Sequence, residues 1–241
     1  MRVADEIVDG AAVESGLDTV GAARQLNELE RETELAMEHG FSANLVVHAF
    51  ALTARETDFG VELTRPFFES MRTDLSETEH DQESFDRYVY GSAEVVGLMC
   101  LASFLQGVDV SPADRERFVL GARALGAAFQ KVNFLRDLAA DFDSLGRSYF
   151  PGVSVASFSE ADKSRLLDDI DADLRTSSAV VGELPPSSRK AVALAQGLFA
   201  ELARRLRATP AEQLRSTRIR VPNPVKARIA AGAAVGRMPK A

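Results

Sequence analysis

Residues 111–143 read SPADRERFVLGARALGAAFQKVNFLRDLAADFD, and this stretch decides the fold class. Ser111 can cap a helix start with its side-chain oxygen, and Pro112 then takes the first helical position, where no N–H is needed. Beyond Pro112 no proline interrupts the run as far as Asp143, and apolar residues recur at helical spacing. Working outward, helices are expected over Leu17–Glu38, which is rich in Ala, Leu, Glu and Arg, and over Asn44–Thr57 and Leu63–Leu75. Pro66 lies near the start of the last of these, where proline is tolerated. Ser84–Gln106 reads as one long apolar helix and Ala161–Val181 as a helix acidic on one side. Pro185-Pro186 ends that helix, Ser187 can cap Ser188–Ala208, and a short last helix follows Pro224. No sustained alternation of period two marks a strand. The reading is an all-α bundle of long helices, with one long irregular segment, Ser144–Glu160, of the kind that often carries function.

Composition narrows the function classes. The chain has 241 residues, 46% hydrophobic and 27% charged, which is globular and excludes collagen-like and disordered chains. A single cysteine, Cys100, excludes a disulfide framework, and the three histidines, His39, His48 and His80, fall in no zinc-ligand spacing. A net charge of −8 argues against binding bare nucleic acid, although divalent cations can join an acidic protein to a polyanion. The N-terminus carries no apolar run of a signal peptide, and Val95–Leu105 is about half the ~20 residues a membrane span needs. The cytoplasm is the expected location.

Three Asp-x-x-x-Asp pairs occur: Asp5/Asp9, Asp137/Asp141 and Asp169/Asp173. With 17 Asp in 241 residues, about one such pair arises by chance, so spacing alone decides nothing. On a helix, i and i+4 share a face, and two carboxylates there repel each other unless a hard cation lies between them. Mg²⁺ suits this arrangement, because it accepts one or two carboxylates together with substrate phosphates. Asp169/Asp173 lies in the very acidic stretch DDIDAD and is assigned to a solvated face. Gln130, Asn133, Asp137 and Asp141 instead form one polar stripe on an otherwise apolar helix. Such a stripe fits either a hydrated metal–diphosphate or an interhelix hydrogen-bond network. In YVYGSAEVVGLMC (residues 88–100) the small residues Gly91, Ser92, Ala93 and Gly97 either admit a neighbouring helix or leave room for a ligand chain. Glycine inside a helix costs about 1 kcal/mol relative to alanine and needs such a reason.

These residues carry a resemblance. FQKVNFLRDLAADFDSLGRSYFP (residues 129–151) resembles the second aspartate-rich signature of the squalene/phytoene synthase family. RVADEIVDG (residues 2–10) is similar to the first, YVYGSAEVVGLMC to the tyrosine-containing helix, and LRSTRIRVPNPVKARIA (residues 214–230) to the basic C-terminal segment. The resemblance implies an all-α isoprenoid synthase-type helical bundle with a central prenyl-chain cavity, treated as a single domain over residues 1–241. It implies a prenyltransferase that joins two prenyl diphosphates head to head through a cyclopropyl intermediate. The leading expectation is phytoene from geranylgeranyl diphosphate, in carotenoid biosynthesis. A squalene- or hydroxysqualene-type synthase acting on farnesyl diphosphate is the alternative, and a non-catalytic assembly or lipid-binding protein is a third reading.

Roles follow residue by residue from the resemblance. Asp5, Asp9, Asp137 and Asp141 match metal ligands for Mg²⁺, with Mn²⁺ as a substitute. Arg2 and Arg136 match phosphate contacts, and Arg218 a basic C-terminal contact with Arg220 as its rival. Gln130 and Asn133 match polar pocket residues, Ala93 and Gly97 the prenyl wall, Tyr88 the tyrosine of the later cationic steps, and Tyr149 the tyrosine after the second pair. NADPH is not expected. The partners expected are prenyl diphosphates, with no nucleic acid and no obligatory protein partner, and greasy substrates imply loose peripheral membrane association. The sequence departs from the pattern at Glu94, where the family usually has glycine. It departs again between Asp141 and Tyr149, where one residue is added. It also opens almost inside the first signature, so N-terminal helices are expected to be missing and Arg2, Asp5 and Asp9 to sit on a frayed end.

Overall fold

The fold was obtained as a computed structural model that describes residues 1–145 and 148–238, and of residues 13 and 139–145 the backbone alone. The chain opens with α1 (Arg2–Val8) and the short α2 (Ala11–Glu14). Then come α3 (Thr19–His39), α4 (Leu45–Thr57), α5 (Val61–Ser76), α6 (Gln82–Val89), α7 (Val95–Phe104) and the 34-residue α8 (Pro112–Leu145). After a 3₁₀ turn at Val155–Ser157 follow α9 (Glu160–Val181), α10 (Pro186–Ala208), the short α11 (Ala211–Leu214) and α12 (Asn223–Ala234). Among the described residues there is no strand, only one isolated bridge between Glu79 and Ser148, so the all-α expectation holds.

Short polar side chains set the helix starts by taking up N–H groups that have no partner inside the helix. Asp18 accepts from the amide of Gly21, Asn44 from Val46 and Val47, and Asp81 from Ser84, while Ser159 and Asp162 form a capping box. Ser111 accepts from the Asp114 amide at 3.2 Å, as its place before Pro112 predicts. The first helix is not frayed: Ala4, Ile7 and Val8 are buried, and α1 packs on α3 and α5.

One expected helix is in fact three pieces. The run through residues 82–104 passes through a π-helical turn at Tyr90–Glu94, between α6 and α7. The turn falls where α5 presses hardest. A Cβ at Gly91 would overlap both the Pro66 carbonyl and the Ser70 hydroxyl, and that hydroxyl donates to the carbonyl of Tyr88 at 3.2 Å. A side chain inserted against the backbone ladder and a glycine that yields to it account for the local widening.

α8 is the central element. α9 and α10 pack on one side of it, and α7 with the π-turn on the other; α5, α3, α4 and α1 lie beyond. α7 and α8 run antiparallel with their backbones nearly touching. A Cβ at Gly97 would run into the Ala122 carbonyl, and one at Gly126 would lie 2.5 Å from the Ala93 carbonyl. Thus Gly97 serves the helix-approach reading directly.

Because the obstacle at Gly97 is backbone, which cannot swing aside, Gly97→Ala is expected to destabilise the fold by roughly 1–3 kcal/mol. Thermal unfolding checks this: the midpoint should fall by several degrees, at about 2–4 °C per kcal/mol for a domain of this size.

Candidate active site

The long helix α8 carries most of the chemistry. At its N-terminal half it lines a cavity of about 440 Å³, closed on the other sides by α7, α9 and α10. Ala93, Gly97 and Gln130, singled out from the sequence, all line it, together with Ser92, whose buried hydroxyl has no hydrogen-bond partner among the described residues. The remaining lining is overwhelmingly aliphatic and aromatic. Glu94 does not line the cavity: its carboxylate accepts from Arg123 Nε at 2.6 Å, and that guanidinium lies over the Tyr90 ring.

Two helical turns beyond Gln130, Asp137 meets two arginines. Arg136 Nε donates to Asp137 Oδ1 at 3.0 Å, with a second, short contact from its terminal nitrogen. Arg218 Nε lies 2.6 Å from Oδ1 and its terminal nitrogen 3.1 Å from Oδ2. The structure therefore brings Arg136, Asp137 and Arg218 together, and it favours Arg218 over its rival Arg220 at this carboxylate. Arg220 and Lys226 lie in the same basic pocket, next to Phe199, and have no carboxylate partner among the described residues. Phe129, on the apolar cavity, stacks on Phe199 at 3.8 Å between ring centroids, so one aromatic pair separates the cavity from the basic pocket. Gln130 and Asn133 are half-buried and form no hydrogen bond among the described residues, contrary to a closed interhelix network. The side chain of Asp141 lies outside the described residues.

Tyr88 and Tyr149 meet in an aromatic cluster with His80, Phe134, Phe85 and Phe150. Tyr149 stacks on Phe134 at 4.0 Å, and the Tyr88 ring lies 5.4 Å from Tyr149 and 5.1 Å from His80. The Tyr88 hydroxyl donates to Asp74, 2.8 Å from Oδ1 and 3.0 Å from Oδ2. Burial above all, then the charge of Asp74 and the neighbouring Tyr149, pushes the Tyr88 phenol well above its ordinary value, so it stays protonated. Tyr88 sits behind the π-turn rather than on the cavity wall. Asp74 and His80 escaped the sequence reading. A signal for Asp74 existed: with Phe67 and Met71 it falls at spacings of four and three on the buried face of α5.

The first aspartate pair is differently placed. Asp5 lies on α1, half exposed, and pairs with Arg2 at 2.8 Å; Arg2 also pairs with Glu6. Asp9 is the residue that ends α1, with a non-helical φ of −129°, and its amide still donates to the Asp5 carbonyl at 2.9 Å. α1 packs on α2, α3 and α5 and makes no comparable contact with α8, so the described packing does not join the two pairs directly. No cluster of three or more potential metal-ligating side chains occurs among the described residues.

The third pair corrects the sequence reading. Lys131 Nζ reaches Asp169 Oδ2 at 2.6 Å and Asp173 Oδ2 at 2.9 Å, with the lysine side chain 13% and that of Asp173 23% exposed. This acidic face is not merely solvated; it fastens α9 to α8. Burial raises the Asp173 carboxyl above its usual value despite Lys131, with Asp169 and Glu94 adding to the rise. Burial pulls the Lys131 ammonium down, but its two carboxylate hydrogen bonds outweigh this and leave it raised.

Residues 1–224 match the squalene/phytoene synthase family. The chain belongs to that family. Phytoene synthase 3, chloroplastic, of Zea mays is 32% identical over 169 residues, 67% of this chain and 37% of that protein. The 15-cis-phytoene synthase of a Paracoccus strain is 29% identical over 225 residues, 86% of this chain and 70% of that protein. The chain thus spans little more than a third of the maize relative. Squalene synthase HpnC from Alicyclobacillus acidocaldarius superposes with a TM-score of 0.68 at 20% identity, covering 86% of this chain and 80% of that one, and shows the shared fold. No helix among the described residues is long and apolar enough to cross a membrane.

Lys131→Met is expected to cost about 2 kcal/mol at pH 7, because it leaves Asp173 buried without its counter-charge. Its folded-state pKa, already above the ordinary 3.8, rises further. A raised carboxyl pKa means stability is lost as pH climbs through the folded value, so the deficit should be small near pH 4 and grow towards pH 7. Thermal unfolding of Lys131→Met and of Lys131→Met/Asp173→Leu across that range checks it, with the double variant recovering most of the loss.

Proposed function

We propose that this chain joins two prenyl diphosphates head to head, with geranylgeranyl diphosphate as substrate and phytoene as product. The observation that carries this reading is the layout of α8. One half lines a large apolar cavity, and the other presents a carboxylate between two guanidinium groups. An amphiphile with a long hydrocarbon tail and a polyanionic head matches both halves at once. The apolar wall, including Ala93 and Gly97, takes the chain and keeps water from a carbocation. Arg136 and Arg218, with Arg2 from α1, contact phosphate oxygens, and Gln130 and Asn133 supply unpaired polar groups between head and tail. An arriving phosphate competes with Asp137 for its two arginines and so releases the carboxylate.

Asp5, Asp9, Asp137 and Asp141 are the proposed holders of Mg²⁺, with Mn²⁺ as a substitute, which would stabilise negative charge on the leaving diphosphate. Their hard oxygen donors suit a hard divalent cation shared with substrate phosphates. Tyr88 and Tyr149 act in the later cationic steps. As a neutral phenol hydrogen-bonded to Asp74, Tyr88 offers a developing cation a fixed dipole without donating a proton to solvent.

The deciding experiment incubates the protein with farnesyl or geranylgeranyl diphosphate and Mg²⁺, with and without a nicotinamide, and identifies the extracted hydrocarbon by mass spectrometry. Phytoene is expected from geranylgeranyl diphosphate without nicotinamide, with a loss of about 10²-fold or more in Asp137→Ala. A squalene-type product from farnesyl diphosphate would replace the substrate assignment. Folded protein that neither turns over nor binds a prenyl diphosphate would favour the non-catalytic reading.

A further inference from the structure

Charge is spread unevenly along this chain. Residues 1–60 hold twelve acidic and four basic side chains, an excess equal to the net −8 of the whole chain. Residues 214–241 hold seven basic side chains and no acidic one. The two segments fold on opposite sides of α8: α1, α3 and α4 lie beyond α7, and α12 packs on α10.

Each segment also presents an apolar surface that nothing in the fold covers. At the acidic end α1, α3, α4 and α5 meet around a groove lined by Met1, Val3, Leu29, Val46 and Phe50, with about 70 Å³ unfilled. Val46 is 59% exposed, and Leu45 and Phe41 beside it, at 82% and 70%, extend the apolar surface. Thr64 forms part of the groove wall; it is 2% exposed, and its hydroxyl has no hydrogen-bond partner among the described residues. A buried hydroxyl left unpaired marks a wall that is complete only with something seated on it. Along α3, Glu28 and Glu32 stand one turn apart, next to the lining residues Leu29 and Thr33, and neither has a cationic partner among the described residues. On the other flank of α3, Glu30 and Glu34 are already paired with Arg72 and Arg65.

The basic end offers the counterpart. Val225, Ile229 and Ala233 of α12 turn inward. Ala227, Ala231, Ala234 and Val235 are exposed and share the outward face, with Val235 at 77%. Lys226 and Arg228 flank this strip and Arg237 follows the helix, and none of the three has a carboxylate partner among the described residues.

We propose that the groove at the N-terminal end receives α12 of a second copy of this chain. A helix lying in the groove would cover Val46, Leu45 and Phe41 with its apolar strip and set its cations against Glu28 and Glu32. Charge decides this occupant over the others. Groove against groove sets acid against acid, helix against helix sets base against base, and an anionic bilayer meets the acidic rim unfavourably. The contact is therefore heterologous, and because each copy carries both surfaces, association can continue beyond a dimer. The seated helix also covers Met1 and Val3, and so braces α1, which carries Arg2, Asp5 and Glu6.

The test is sedimentation of the full chain, from low to several hundred micromolar, in about 0.05 M and 0.5 M NaCl. Concentration-dependent association is expected at low salt, weakened at least about tenfold at high salt. Glu28→Arg and Arg228→Glu, both on exposed side chains, should each weaken it about tenfold, and the double variant Glu28→Arg/Arg228→Glu should regain most of the loss. Leu45→Asp should abolish it. The thermal midpoint of the wild type should rise with protein concentration and that of Leu45→Asp should not. A chain that stays monomeric throughout overturns the proposal. So does association that Leu45→Asp and the charge variants leave unchanged, which would place the contact on another face. Monomeric protein that floats with zwitterionic lipid vesicles, and ceases to in Leu45→Asp, would assign the groove to a lipid surface instead.

Discussion

Everything in this bundle that concerns a ligand depends on how closely α7 approaches α8. Two glycines on opposite helices, Gly97 and Gly126, each face the carbonyl of a residue on the partner, Ala122 and Ala93. No residue with a Cβ fits at either place without moving backbone, so the pair fixes both separation and register. From that register follows the level at which Gln130 faces the small residues of the π-turn across the cavity. The apolar cavity lies between this closely packed pair and the facing sides of α9 and α10.

The charged groups divide between holding helices together and standing ready for a ligand. Lys131 with Asp169 and Asp173 ties α9 to α8. Lys163 is buried at the start of α9, where it pairs with Glu160 and donates to the Thr209 carbonyl at 2.6 Å, while Glu160 accepts from the Ala211 amide. These contacts are internally satisfied. Asp137, held by Arg136 and Arg218, is satisfied as well, beside a pocket lined by two further cations, Arg220 and Lys226. A bidentate guanidinium can trade one oxyanion for another at little geometric cost. Under the proposed function this separates the Asp137 cluster from the structural Lys131 cluster more clearly than aspartate spacing does. By spacing alone Asp137/Asp141 and Asp169/Asp173 are alike; their partners separate them, Arg136 and the loop residue Arg218 at Asp137 and Lys131 of α8 at the third pair.

The behaviour of the tyrosine helix shows where local reading stops. Residues 82–104 look continuous because nothing in their own propensities forbids an α-helix, and Gly91 and Gly97 read as unexplained small positions. The π-turn arises because α5 brings the Pro66 carbonyl and the Ser70 hydroxyl against Gly91, a contact between segments some twenty residues apart. Tyr88 is recognisable in the sequence, and spacing places Asp74 on the buried face of α5, but nothing in the sequence shows that the two face each other.

The sequence by itself determined the helical class, most helix limits, the Ser111 cap and the aspartate, arginine and tyrosine signatures; it misplaced the cap at Ser187, because α10 already starts at Pro186 with Pro185 before it. All of these are written in local patterns: side-chain oxygens beside unpaired amides, apolar periodicity, and residues a few positions apart on one helix. Only the tertiary structure decided that Arg218 shares Asp137 with Arg136, that Tyr88 rests on Asp74, that Glu94 turns away from the cavity and that Lys131 claims the third acidic pair. It also decided that Phe118, Leu101 and Leu184 meet in one buried apolar cluster. Most of these join residues of different elements, which packing between elements brings together rather than any spacing along the chain.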